Sequence, residues 1–351
     1  MSWIKKYNSP LVIAGPCSAE SEEQVLQTAH QLKNSKVSIF RAGIWKPRTR
    51  PGSFEGVGSV GLPWLQTVKK ETGLQTAIEV ATKEHVEQAL KHDVDVLWIG
   101  ARTTVNPFTV QEIADVLQGT DKTVLIKNPV NPDISLWMGA VERLSKANIT
   151  NIGLIHRGFS KYEKGKYRNP PEWQIAIDMQ NLFPDLPMII DPSHISGNQE
   201  LIFEVTQEAL DLNYSGMIIE THINPEKAWS DAAQQVTPDV LKQIISKLVI
   251  RKKTDETDEF QQKMLKLRKQ IDAFDENLIQ VLASRMQTAE QIGQLKKEKN
   301  VAVLQNERWA EILQKMIVNG SEKGLTKNFL ETIFKAIHQE SITHQEKILK
   351  I

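Results

Sequence analysis

Hydrophobic and polar positions follow one rhythm up to about residue 250 and another beyond it. In the first part, short β-branched or apolar runs alternate with amphipathic stretches. The runs are LVIAGPC (11–17), SIFRAG (38–43), QTAIEV (75–80), VDVLWIG (94–100), TVLIKNP (123–129), NIGLIHRG (151–158), PMIIDPSH (187–194) and GMIIETHI (216–223). Helices are expected near 21–34, 60–72, 83–91, 109–118, 134–146, 172–182, 198–211 and 238–249. Parallel strands buried on both faces read as near-continuous apolar runs. Their alternation with helix-length stretches marks βαβ units. Eight such units over about 250 residues predict an α/β fold, a (β/α)8 TIM barrel. A doubly wound open sheet is the alternative, but it more often has fewer strands and a glycine-rich first turn.

Beyond residue 250 the period changes. RKKTDETDE (251–259) is charged and reads as a linker between a barrel at 1–250 and a helical domain at 260–351. Apolar residues then recur at Phe260, Met264, Leu267, Ile271, Phe274, Leu278 and Leu282, steps of three and four that predict a helix to Lys299. At 1.5 Å per residue such a helix is about 60 Å long. That exceeds what one small domain covers, so a homodimer through this region is expected. Two shorter helices, near 305–319 and 326–349, complete an all-α three-helix module.

Composition narrows the function classes. Of 351 residues, 40% are hydrophobic, enough for a core, and Lys+Arg and Asp+Glu are both 43, so the formal net charge is zero. General nucleic-acid or anionic-membrane binders are basic, so neither partner is expected. The start, MSWIKKYNSP, lacks a signal-peptide core, and no apolar run approaches a membrane span, so a cytoplasmic protein is expected. The single cysteine, Cys17, excludes an intrachain disulfide.

In a barrel, residues at the C-terminal strand ends converge on one mouth. Those ends here carry Cys17, Arg41 with Lys46 and Arg48, Glu79, Arg102, Lys127, His156-Arg157, Asp191 with His194, and Glu220 with His222; Asp231 follows in the last loop. A structural barrel would place most of its charges on the outer helices. Two chemistries separate. Cys17, His194, Glu220 and Asp231 offer sulfur, nitrogen and oxygen to a divalent metal, a mixed set suited to Mn, Fe, Co or Zn. Arg41, Lys46, Arg48, Arg102, Lys127 and Arg157 form a cationic lining for more than one phosphate or carboxylate. Singly, each has an ordinary explanation, a buried thiol or a surface ion pair; their convergence is what points to a site.

AGPCS (14–18), FRAGIWKPRT (40–49), IGAR (99–102), IKNP (126–129), HRGF (156–159), DPSHISG (191–197) and IETHINPEKAWSDAAQ (219–234) resemble the 3-deoxy-D-arabino-heptulosonate-7-phosphate (DAHP) synthases of the short, microbial type Iβ class. The sister 3-deoxy-octulosonate-8-phosphate synthases carry an Asn-Arg-Ser-type sequence where this chain has KPRT, which favours erythrose 4-phosphate as the aldose. The resemblance implies that Cys17, His194, Glu220 and Asp231 hold the metal. It implies that Arg102, Lys127 and Arg157, with Arg41, hold phosphoenolpyruvate. Lys46 would lie between the substrates and transfer a proton, and Arg48 and Thr49 would hold erythrose 4-phosphate. Glu79 would be a nearby acid/base group or a support for the residues that touch substrate. No organic cofactor is implied.

On the long helix, Phe274, Arg285 and Lys296 are spaced by 11 residues, which is 20° beyond three turns, so both cations fall on the apolar stripe. Charge there is costly unless a ligand or partner answers it. Arg268 lies about 100° away and points to a different pocket, such as the twin site of a dimer. LRKQIDAFDENLIQVLASR (267–285), IGQLKKEK (292–299), the Arg308 region and ESITHQ (340–345) resemble the all-helical AroQ-type chorismate mutases. That resemblance implies one chorismate pocket lined by Arg285, Lys296, Arg308, Ser341 and Gln345, with Arg268 supplied by the partner chain. Lys296 and Gln345 would hydrogen-bond the ether oxygen as its bond breaks. Gln305 stands where an Asp is common, and Trp309 where many members have a Glu that contacts the substrate hydroxyl.

The expectation is a bifunctional shikimate-pathway enzyme, with the mutase domain also sensing chorismate or prephenate to inhibit the barrel. Its rivals are a synthase with a non-catalytic sensing tail and a barrel of the octulosonate-8-phosphate type.

Overall fold

The computed structural model describes residues 3–47, 52–162, 165–252, 254–304 and 306–350. The chain divides into two compact units, Met1–Lys253 and Thr254–Ile351.

The first unit is a closed parallel barrel whose strands run in sequence order. They are β1 (Leu11–Gly15), β2 (Ile39–Arg41), β3 (Gln75–Val80), β4 (Val96–Ile99), β5 (Thr123–Lys127), β6 (Ile152–His156), β7 (Met188–Ile190) and β8 (Gly216–Glu220), with β8 pairing back to β1. The helices are α1 (Glu22–Lys33), α2 (Gly61–Thr72), α3 (Lys83–Lys91), α4 (Ala101–Thr104), α5 (Pro107–Leu117), α6 (Ile134–Lys146), α7 (Trp173–Leu182), α8 (Pro192–Ser196), α9 (Ile202–Asp211) and α10 (Pro238–Lys247). Many begin at a side-chain cap. Ser21, Thr82, Asn106, Asp133, Asp191 and Thr237 each accept from a backbone N–H of the first turn, satisfying donors that a helix start leaves open. The two short helices α4 and α8 are absent from the sequence pattern, because one turn carries no period. The strands also stop earlier than their apolar runs, since the loops that follow are themselves buried.

Side chains alternate across each strand. One parity, including Val12, Phe40, Ile78, Leu97, Ile126, Leu154 and Ile219, packs outward under the helices. The other, including Ile13, Ile39, Ala77, Trp98, Leu125, Ile155, Ile189 and Ile218, fills the barrel. Trp3 joins this inner cluster and donates to the Ile152 carbonyl at 2.8 Å.

The second unit holds α11 (Asp258–Glu298), α12 (Asn306–Ser321) and α13 (Lys327–Lys350). The 41 residues of α11 span about 62 Å. α13 lies against its C-terminal half, where a Cβ on Gly293 would stand 3.1 Å from Gln345 Cα. The N-terminal half carries an unburied apolar stripe, with Leu267, Ile271, Phe274 and Leu278 all exposed and Phe274 at 71%. No helix among the described residues is long and apolar enough to cross a membrane.

Candidate active sites

The inward parity that fills the barrel continues past its apolar layers to the C-terminal end. Ile39 leads to Arg41, Ala77 to Glu79, Leu125 to Lys127, Ile155 to Arg157, Ile189 to Asp191 and Ile218 to Glu220, each two residues on. Alternation alone therefore delivers these six ionisable groups to one mouth. Trp98 lies beneath them. Its indole donates to Glu79 Oε2 at 3.0 Å, the Arg41 guanidinium lies 4.9 Å from its ring, and Lys127 Nζ lies 5.8 Å from it.

Close backbone approaches make the mouth possible. A Cβ on Gly43 would stand 2.3 Å from the Cys17 carbonyl oxygen, and one on Gly100 would stand 2.1 Å from Glu79 Oε1. At Gly43, against backbone, only glycine fits; at Gly100 a larger residue would push the Glu79 carboxylate aside.

The four sequence-predicted metal donors meet in this mouth. Cys17 Sγ is 3.4 Å from Asp231 Oδ2, and His194 Nε2 is 3.8 Å from Glu220 Oε1. Among the described residues no three such donors are drawn together as a closed cage; they meet as two pairs. Their chemistry nonetheless suits a cation. Glu220 Oε1 is buried without a hydrogen-bond partner, although Arg41 Nη1 stands 3.3 Å away. The Asp191 carboxylate takes His194 Nδ1 at 2.9 Å, which leaves Nε2 as the ligating nitrogen. Burial holds His194 below its ordinary pKa, so the imidazole is neutral, the form that binds metal. Burial, with Glu220 beside it, pushes the Cys17 thiol up to about 12. A cation would reverse that, because a coordinated thiol is deprotonated. Lys46 Nζ already lies 2.7 Å from Cys17 Sγ and 2.8 Å from its carbonyl.

The anion-binding residues are unevenly placed. Lys127 is buried and paired with Asp191 at 2.9 Å. Burial would raise the Asp191 pKa, but His194 and Lys127 outweigh it and hold that carboxyl well below the usual range. Burial lowers the Arg157 guanidinium to about 10, and Arg102 nearby adds to this. A cation so desolvated is stabilised by an arriving anion. Asn128 orients it by accepting from the Arg157 backbone N–H at 2.7 Å while donating to the Gly158 carbonyl at 2.8 Å. Arg102 is exposed on α4, one turn past β4. Arg48 and Thr49 lie outside the described residues, as does Gln305 in the tail.

A supporting layer, to which no sequence motif assigns a role, stands behind these residues. Arg168 donates to Asp231 at 2.9 Å and to Gln234 at 2.8 Å; Gln234 donates to Glu220 Oε2 at 2.6 Å. Gln235 accepts from the Cys17 backbone N–H at 2.9 Å and donates to the Ser230 carbonyl. The only signal was adjacency of Gln234 and Gln235 to Asp231. Asp231 itself has φ +46°, a left-handed conformation that Asp tolerates better than most residues. His156 is a core histidine, bonded to Tyr214 Oη at 2.8 Å and the Pro171 carbonyl at 2.6 Å.

In the helical unit, Arg285, Lys296, Arg308, Ser341 and Gln345 line one cavity of about 450 Å³, so five of the six sequence-predicted residues come together. Arg285 donates to Ser341, and burial lowers its pKa. Gln345 Oε1 is buried without a partner, the mark of a polar site shaped for a ligand. Arg268 does not line this cavity; it lies exposed 17 residues, about 26 Å, before Arg285. Trp309 and His338 also line it, their rings stacked at 3.9 Å.

Comparison with known proteins identifies a family for each of the two units. The DAHP synthetase I family model matches residues 4–257, and the type II chorismate mutase model matches residues 267–346. The chain is 30% identical over 237 residues to the phospho-2-dehydro-3-deoxyheptonate aldolase of Thermotoga maritima, covering 68% of each protein. It is 27% identical over 263 residues to the 2-dehydro-3-deoxyphosphooctonate aldolase of Variovorax paradoxus, covering 68% of this chain and 88% of the relative. A crystal structure of the Thermotoga maritima DAHP synthase superposes with a TM-score of 0.60 at 29% identity over 67% of each chain.

Proposed function

The chain belongs to the DAHP synthetase I family, with a type II chorismate mutase domain following in the sequence, and on that premise we propose how its two sites work. It is a bifunctional enzyme of the shikimate route. The barrel is a DAHP synthase, which condenses phosphoenolpyruvate with erythrose 4-phosphate and releases phosphate. The tail is a chorismate mutase, which rearranges chorismate to prephenate.

The observation that carries the barrel mechanism is the single strand parity that gathers Arg41, Glu79, Lys127, Arg157 and Glu220 in one mouth. Arg102, Lys127 and Arg157, with Arg41, take the phosphate and carboxylate of phosphoenolpyruvate, whose charges answer the desolvation of Lys127, Arg157 and Arg41. Arg48 and Thr49 take erythrose 4-phosphate. Carbon 3 of phosphoenolpyruvate attacks the aldehyde carbon, and Lys46 delivers a proton to the aldehyde oxygen. Water then adds at carbon 2, and inorganic phosphate leaves from the resulting hemiketal. Glu79, fixed by the Trp98 indole, is the nearby acid/base group. The family is in general metal-dependent. A divalent ion of the Mn, Fe, Co or Zn kind, held by Cys17, His194, Glu220 and Asp231, supplies Lewis-acid polarisation of the aldehyde.

In the tail, Arg285 and Arg308 clamp the two carboxylates of a compact chorismate conformer. Lys296 and Gln345 hydrogen-bond the ether oxygen as its bond breaks, so catalysis is positioning and electrostatics with no covalent intermediate. The exposed stripe on α11 seats a second copy of the chain, and Arg268 enters that copy's pocket. The two reactions are not consecutive, so the fusion serves regulation: chorismate or prephenate bound in the tail inhibits the barrel. All substrates are metabolites, and a cytoplasmic location completes the reading.

The test follows phosphoenolpyruvate loss with erythrose 4-phosphate, then chorismate loss, on the intact protein. Arabinose 5-phosphate replacing erythrose 4-phosphate as the better aldose would overturn the barrel assignment. Saturating prephenate that leaves barrel kinetics unchanged would overturn the regulatory one.

A further inference from the structure

The mutase cavity holds one feature that the mechanism above does not use. Its described lining includes three cations, Arg285, Lys296 and Arg308, and no carboxylate. Chorismate presents two carboxylates, an ether oxygen and one ring hydroxyl. The cations answer the carboxylates, and Lys296 with Gln345 answers the ether. The hydroxyl is a neutral donor that needs an acceptor, and leaving it unmatched in a closed pocket loses affinity.

His338, on α13, is placed to be that acceptor. Its ring lies against the Trp309 ring of α12, with centroids 3.9 Å apart and planes within 17°. The stack fixes the plane of the imidazole, and with it the directions of its nitrogens. Among the described residues neither nitrogen has a hydrogen-bond partner. Burial, and then the nearby Arg285 charge, hold the imidazole below its ordinary pKa, so one nitrogen is a free acceptor at neutral pH. The two hydroxyls of the lining already donate within the fold. Thr288 donates to the Ser284 carbonyl at 3.1 Å, and Ser341 is bonded to Arg285 and to the Ile337 carbonyl. The buried Gln345 Oε1 belongs to the amide that turns its Nε2 to the ether oxygen, so the imidazole is the lining acceptor with no other task.

We infer that His338, braced by Trp309, is the specificity-determining residue of the mutase pocket and receives the ring hydroxyl of chorismate. This rests on the mutase reading of the tail. A neutral acceptor discriminates for a hydroxyl without adding negative charge beside the substrate carboxylates. The group reads the substrate, and the clamp and ether contacts perform the rearrangement.

The test is a cycle of two substrates and three proteins, read in kcat/KM on the full chain. The substrates are chorismate and its analogue lacking the ring hydroxyl; the proteins are wild type, His338→Leu and His338→Gln. The leucine variant is expected to lose about tenfold on chorismate and to match wild type on the analogue. The glutamine variant keeps an acceptor and is expected to retain part of the preference for chorismate. An equal loss on both substrates would show a merely structural histidine, and no loss on chorismate would show an idle one; either overturns the inference. If the leucine variant does not fold, His338→Ala takes its place, and full wild-type discrimination in the alanine variant overturns it equally. Wild-type protein that does not turn over chorismate at all overturns the mutase reading and this inference with it, an outcome separable from a flat cycle on an active enzyme.

Discussion

The two sites are built in opposite ways. The barrel mouth is assembled within one unit from eight strands, and its charges already answer one another: Arg41 with Glu220, Lys127 with Asp191, Arg168 with Asp231. The helical pocket draws on three helices, and its cations face a cavity without a described carboxylate. Arg268 stands away from it, and half of α11 shows its apolar face to solvent. The barrel thus preorganises its site internally, whereas the tail's cations are left for an arriving anion to answer. A buried charge network resists change and needs every member. An open cationic pocket depends instead on what arrives.

Metal removal separates the two most sharply. Dialysis against a chelator should take synthase activity to background, a loss above about 10²-fold, and leave mutase activity unchanged. Re-addition of Mn, Co or Zn salts should restore the synthase, and metal analysis of Cys17→Ala should show reduced content. Retained synthase activity in chelated, metal-free protein would sink the assignment of Cys17, His194, Glu220 and Asp231. A matched pair of variants comes next. Arg157→Gln should lower synthase kcat/KM by about 10²–10³-fold, and Arg285→Gln should do the same to the mutase, each sparing the other reaction. Cross-effects on catalysis without effector would mean that the sites are less separate than their construction implies.

Much of this contrast was legible in the sequence, for physical reasons. Barrel strands are buried on both faces, so QTAIEV and GMIIETHI stand out as apolar runs, and the parity within them fixes which residues face inward. Helical period put Arg285 and Lys296 on one face, and they do share a cavity. What stayed hidden depends on tertiary paths. Arg168 reaches Asp231 across 63 residues, through loops whose course no local pattern encodes. His338 gains meaning only because α12 brings Trp309 over its ring. The helices α4 and α8 are too short to show a period, yet they carry Arg102 and His194.

The unpartnered stripe of α11 gives the third test. Ile271 and Phe274 lie near the middle of that stripe and are exposed within one chain. If a second copy covers them, Ile271→Asp buries a charge in the interface and should split the dimer, seen by sedimentation as a halved mass. Mutase activity should fall at least tenfold, because each pocket loses its neighbour's Arg268, while the synthase persists. A monomeric wild-type protein with full mutase activity would show that one chain completes the pocket alone.

The smallest effect concerns stability and belongs to the barrel alone. His156 is fully buried between Tyr214 and the Pro171 carbonyl, and burial lowers its pKa from 6.5 to about 4. In the unfolded chain the same imidazole titrates near 6.5. Between these values the unfolded state binds the extra proton, so stability falls as pH falls through that window. The full gap corresponds to about 3 kcal/mol, complete only near pH 4; from pH 7 to pH 5 the loss is about 2 kcal/mol. Urea unfolding of the barrel should therefore show a lower midpoint at pH 5 than at pH 7. His156→Gln can keep a hydrogen bond but cannot titrate, and should flatten that difference even if it is less stable at both. An equal pH slope in the two proteins would move the acid sensitivity to other groups, His194 first among them, since burial lowers its pKa too.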